Sequence, residues 1–200
     1  MKEKFVNNAT IFVTKYYSYE GKEFDKLFYG LQSFYSFITK TSVVFLISFL
    51  LGTLKETFLI MFFYIMLHSF TFGIHASKNL YCWLTTIPIY IITSLVAKNI
   101  MINDSSKVLI IIFGFISILL FAPSDTHKRP LINAKKRIIS KALALITALC
   151  FEIVILFSNN IIIINTISIA LIIQCICINP LIYKLFKMPY HNYKRYIKKV

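Results

Sequence analysis

A histidine and a cysteine seven residues apart, His75 and Cys82, sit in the segment SFTFGIHASKNLYCWLTT at the edge of an apolar run. A thiol beside an imidazole can serve as an acyl-transfer nucleophile, with the ring taking its proton. The ring must then reach the sulfur. Seven residues of straight helix rise about 10.5 Å, which separates the two side chains too far. A working pair therefore needs the chain to bend or unwind between them. Gly73, Ser77 and Asn79 are residue types that permit such a break. The reading is a loop or distorted turn there, with Cys82 near the start of the next helix, where the helix dipole favours a thiolate. Taken alone the spacing is weak evidence, because a boundary histidine is more often structural.

The elements that must position this pair are membrane helices. The chain has 200 residues, of which 58% are hydrophobic and 15% charged. Its mean hydropathy is +0.71. A soluble domain has more charge and less apolar surface. Apolar runs cover residues 34–54, 57–73, 80–97, 108–122, 142–157 and 161–178. A straight span needs about 20 residues, within a range of roughly 17–25. The expected fold is all-α: a polytopic membrane bundle of about six transmembrane helices. Lys55-Glu56 divides the first two runs least securely, as a tight hairpin or one bent re-entrant element.

Residues 1–33 are polar and aromatic, with apolar positions Phe5, Ala9, Phe12, Val13, Tyr16 and Tyr17 at roughly helical spacing. They read as an amphipathic interfacial segment, or as an ordinary solvated helix. This stretch lacks the apolar core of a signal peptide, so the first span is expected to act as the insertion signal. The organisation is thus an N-terminal segment 1–33, a membrane domain 34–183 and a basic tail 184–200.

Charge orients the bundle. With six spans, segments 1–33, 74–79, 123–141 and 179–200 share one side and hold 18 Lys and Arg. Lys40 adds one more, against Lys55, Lys98 and Lys107 opposite. Such a bias places both termini, and the His75–Cys82 region, in the cytoplasm. The formal net charge of +14 is then explained by topology and anionic lipid, and no nucleic-acid partner is expected. The six spans show no repeat of broken helices of the kind transporters use.

Other reactive types read as structural or stay open. Cys150, Cys175 and Cys177 lie in apolar runs and form no zinc-ligand spacing, so neither a metal nor an organic cofactor is suggested. Asp125 is the acid of the basic loop. It either orients His75 as the third group of a triad, or caps a helix or pairs with Lys128 or Arg129. Glu152 lies within the fifth span, where a carboxylate is costly. It either stays protonated, pairs with polar groups towards Lys141, or contacts substrate.

Two motifs then point the same way. Gly73-Ile74-His75-Ala76 followed by Cys82 resembles the active-site motif of the accessory gene regulator B family, AgrB. Ala122-Pro123-Ser124-Asp125-Thr126 continuing to Pro130-Leu131 resembles that family's A-P-x-D-T-x-x-x-P loop. Length, span pattern and basic loops match as well, so the resemblance covers nearly the whole chain. The chain departs at Phe72, where the family commonly has Gly, and at His68, where it tends to have Arg.

The resemblance implies a multi-pass cysteine endopeptidase of the bacterial cell membrane that processes a quorum-sensing signal precursor of the AgrD type. His75 would be the base and Cys82 the nucleophile, with Gly73, Ser77 and Asp125 as orienting or substrate-contacting residues. An acyl-thioester on Cys82 would be resolved by a Cys or Ser of the precursor, closing a thiolactone or lactone. The acidic end of the precursor would be drawn to Lys128, Arg129, Lys135, Lys136 and Arg137. A homodimer is a family-level expectation. The alternatives are a peptide transporter or export channel and a noncatalytic membrane scaffold.

Overall fold

The computed structural model describes residues 2–19, 21–74, 79–126 and 130–197. It is helical throughout, with helices α1 (Lys2–Thr14), α2 (Lys22–Leu50), α3 (Leu54–Thr71), α4 (Asn79–Asn99), α5 (Asp104–Phe121), α6 (Ala134–Phe157), α7 (Ile161–Ile178), α8 (Pro180–Leu185) and α9 (Tyr193–Ile197). The chain divides into two compact units, Met1–Ile47 and Ser48–Val200.

In the first unit α1 buries Val6 and Thr10 and exposes Ile11 and Phe12. The Phe5 and Tyr35 rings meet at 5.2 Å. Gly21, at φ +53°, precedes α2. That helix begins well before residue 34. The polar residues ahead of the first apolar run are therefore its opening turns rather than part of a separate surface helix.

The second unit is a bundle with two distinct ends. Five helices of the described chain are long and apolar enough to cross a bilayer, over Glu23–Leu50, Leu80–Asn99, Asp104–Phe121, Ala134–Phe157 and Ile161–Ile178. The sixth expected span corresponds to α3, which carries Lys55, Glu56 and His68 and is not among these five. It nevertheless runs the depth of the bundle. At its start the Thr57 hydroxyl donates to Ser48 Oγ at 2.8 Å, and Ser94 Oγ donates to Thr53 Oγ1 at 3.2 Å. At its other end Thr71 and Phe72 meet the ends of α5 and α7. Its 18 residues measure about 27 Å along the axis, close to the hydrocarbon thickness of a bilayer.

Helix α7 is the hub. Most of its length is buried, with Ile164, Ile167, Ala170, Leu171, Cys175 and Ile178 enclosed, while Ile161 and Ile176 face outward. It packs against α3, α4, α5 and α6. Ile118 of α5, Ala144 and Ala148 of α6, and Ile167 and Leu171 of α7 share one core. The small Ala144 and Ala148, one turn apart, let helix backbones approach closely where no hydrophobic driving force exists. Asparagines set the helix starts. Asn103, Asn133, Asn160 and Asn179 each accept a backbone N–H from the first turn of α5, α6, α7 and α8. Their short amides satisfy donors that the helix itself leaves open.

Candidate functional site

Helix α3 ends at Thr71, and the backbone there turns sharply. Phe72 has φ 56° and ψ −145°. Gly73 has φ 140°, a conformation that a side chain would strain. A Cβ on Gly73 would lie 3.1 Å from the Cys177 carbonyl oxygen and 3.2 Å from Cys177 Cβ. The glycine is therefore required both by its angle and by the close passage of α7.

This turn is pinned on every side. Gly73 N–H donates to the Ser124 carbonyl at 3.0 Å, and Ser124 N–H donates to the Thr71 carbonyl at 2.9 Å. Together they form a short parallel bridge between Phe72 and Ser124. Ile74 N–H donates to the Cys177 carbonyl at 2.9 Å. The fully buried Gln174 amide donates to Thr71 Oγ1 and to the Phe72 carbonyl. Its oxygen pairs with His68 Nδ1 at 3.1 Å. His68 in turn stacks on Tyr64, with ring centroids 5.1 Å apart. His68 thus braces Gln174, at the position where the resemblance would place an Arg.

Cys82 sits in the first turn of α4, is half-buried, and is a thiol rather than half of a disulfide. Its sulfur lies 3.7 Å from Thr86 Oγ1. The Tyr64 hydroxyl lies 3.9 Å from the Cys177 sulfur. Pro88 inside α4 leaves the Leu84 carbonyl, two residues beyond Cys82, without its usual helical donor. His75 and Ser77 lie outside the described residues, as do Lys128 and Arg129.

Asp125 is 2% exposed and its carboxylate is fully engaged by backbone. Oδ1 accepts from Asn192 N–H at 2.8 Å. Oδ2 accepts from Tyr193 N–H at 2.8 Å and Leu131 N–H at 3.2 Å. The Asn192 side chain donates to the Asp125 carbonyl at 3.3 Å. Tyr183 donates to the carbonyls of Ser124 and Asp125 at 3.3 and 3.4 Å. Burial, and secondarily the Asp125 charge, pushes the Tyr183 hydroxyl up, so it remains a donor.

The basic residues divide by use. Arg137 donates to the carbonyls of Leu131 and Ile132, both at 2.8 Å, and covers the Tyr193 ring at 4.2 Å. It is committed to the loop. Lys135 and Lys136 are exposed. Lys136 lines an open cleft of about 520 Å³ with Phe72, Pro130, Leu131, Ile139 and Ser140. Glu152 is 4% exposed, and its Oε1 has no hydrogen-bond partner. It faces Gly114 of α5 inside the bundle. Among the described residues no cluster of His, Cys, Asp and Glu could hold a metal ion.

Sequence reasoning did not single out Gln174, Ser124 or Asn192. A glutamine inside an apolar run was the available signal for the first, since such a group must find a partner in the membrane. Asn192 carried none, because its partner lies in a distant loop.

Comparison with known proteins places the chain in a family. The profile of accessory gene regulator B matches residues 6–178. An AgrB-like protein of Listeria welshimeri is 33% identical over 171 residues, covering 86% of this chain and 84% of that one. An AgrB-like protein of Clostridium acetobutylicum is 28% identical over 193 residues, covering 96% and 91%. The accessory gene regulator protein B of Staphylococcus lugdunensis is 24% identical over 139 residues, covering 69% and 73%. No solved structure matches. With a profile match across nearly its whole length and relatives above 30% identity, the chain belongs to the accessory gene regulator B family.

Proposed function

We propose that this protein is a membrane cysteine endopeptidase of an accessory gene regulator system, acting on an AgrD-type signal precursor at the cytoplasmic face. The observation that carries the reading is the position of Cys82. It occupies the first turn of α4, at the bundle end where Gly73 and Ile74 are pinned and lead directly into His75.

The chemistry follows. His75 takes the thiol proton and the Cys82 thiolate attacks the scissile carbonyl. The tetrahedral intermediate collapses, and His75 returns the proton to the departing amine. The C-terminal fragment leaves, and the N-terminal part stays as a thioester on Cys82. A Cys or Ser of the precursor then attacks that thioester. A thiolactone or lactone closes, and the Cys82 thiolate is released. Exchange between thioesters is close to neutral, so water must be kept from the intermediate. Lys136, beside the apolar cleft, is a positive group available to an acidic precursor tail, together with Lys135. Lys128 and Arg129 of the same loop share that role in this proposal.

Co-expression with the precursor, read by mass spectrometry, tests it. Cys82→Ala and His75→Ala are each expected to abolish cleavage. An export channel or a noncatalytic scaffold would leave precursor processing independent of both residues, and that result would remove the peptidase reading.

A further inference from the structure

We infer that the segment following the last membrane helix is a working part of the catalytic end, and that Asp125 is the positioning residue joining the two. The inference rests on the peptidase reading above. It concerns residues 179–197, beyond the 6–178 matched by the family profile.

The connection can be followed atom by atom. The amides of Asn192 and Tyr193 close on the two oxygens of Asp125. The Asn192 side chain donates both to the Asp125 carbonyl and to the Pro189 carbonyl, which folds the tail back upon itself. Asp125 adjoins Ser124, which carries the Gly73 amide on its carbonyl. The Ser124 hydroxyl donates to the Ile178 carbonyl at 3.0 Å, so the end of α7 is held by the same residue. Gly73 and Ile74 then lead into His75. Tyr190 adds a bond to the Phe121 carbonyl at 3.3 Å, at the other side of the loop.

Three features argue that this is built rather than incidental. Ser124 and Asn192 are fully buried and Asp125 nearly so, although all three are polar. A buried carboxylate is tolerated only when its lone pairs are met, and here three backbone donors meet them. Those donors come from two separate parts of the chain, residue 131 and residues 192–193, so one side chain fixes both against the bundle. A terminal segment without such ties would be expected to fray. Small displacements of a catalytic group are costly in rate, so a brace two residues from His75 acts on turnover.

The test is turnover of the AgrD-type precursor by the purified full-length protein in proteoliposomes, with kcat and KM measured separately. Asp125→Ala removes every acceptor. Asp125→Asn keeps one oxygen but turns an amide towards the other donors. Removal of residues 188–200 takes away Asn192 and Tyr193 and leaves α3 to α7 untouched, so it serves should the Asp125 variants not accumulate. The expected result is a fall in kcat of about tenfold or more for Asp125→Ala and for the truncation. Asp125→Asn should lie between them and the wild type, and KM should stay within about twofold. Unchanged kcat in the truncated protein overturns the inference. A raised KM with kcat intact does so too, since it would make the tail a docking element. These outcomes stand apart from failure of the peptidase reading, which is scored by Cys82→Ala and His75→Ala in the same vesicles.

Discussion

The backbone amide of Gly73 donates to the carbonyl of Ser124 at 3.0 Å, although fifty residues of chain separate them. This bond joins the two segments that carry the family resemblance. Gly73 needs its φ of 140°, and a Cβ there would press on Cys177. Gly73→Ala is therefore expected to lose about 1–3 kcal/mol of stability from backbone strain alone. Precursor cleavage should fall more than the melting temperature suggests, because the strained residue stands two before His75. Thermal unfolding in detergent and a cleavage assay on one preparation check both.

The opposite end of the bundle offers a control. Asn165 donates its side-chain amide to the carbonyls of Ala97 and Ile100, which closes the end of α4 against the start of α7. Asn165→Leu leaves both carbonyls without this donor and should cost about 1–3 kcal/mol. Turnover per folded molecule should remain that of the wild type, since the bond lies at the far end from Cys82. Equal loss of turnover would show that the two ends are coupled.

The tail should be sensitive to acid. His191 is held below its usual 6.5, first by burial and then by Lys194, while the Asp125 charge opposes the shift. Tyr190 and Tyr193 flank its ring. The unfolded segment then binds a proton more readily than the docked one. Docking is complete above about pH 6.5 and weakens as pH falls through the lower folded value. Hydrogen exchange at the Asn192 and Tyr193 amides should quicken on acidification, and His191→Phe should remove that dependence.

Sidedness can be read directly. Ser105, at the start of α5, and Lys184, in α8, are both exposed. Proposed cytoplasmic termini put Ser105 outside and Lys184 inside. Ser105→Cys should react with a membrane-impermeant maleimide on intact cells, scored at that site by mass spectrometry. Lys184→Cys should react only after permeabilisation. The reverse pattern would invert the bundle and move Cys82 to the outer face.

The composition and apolar runs determined most of this architecture. Chains so poor in charge bury their backbone polar groups in helices when they enter a bilayer, so the all-helical bundle followed from local pattern alone. The spacing of His75 and Cys82 called for a break between helices. The structure ends α3 at Thr71 and starts α4 at Asn79. The extent of α2 was less legible, because residues 22–33 are too polar to read as part of a membrane helix, yet they continue it.

What only the tertiary structure decided is which polar residues serve one another. Asp125 reads from sequence as an acid in a basic loop, with Lys128 and Arg129 as its obvious neighbours. In space its oxygens are taken by Leu131, Asn192 and Tyr193 amides, and Arg137 turns to nearby carbonyls and an aromatic ring. Gln174 and His68 likewise meet although more than a hundred residues apart. Hydropathy is a local sum along the chain, and it suffices to say which segments enter a membrane. Hydrogen bonding in a buried layer is settled only when helix ends from distant segments converge, and no local pattern records that meeting.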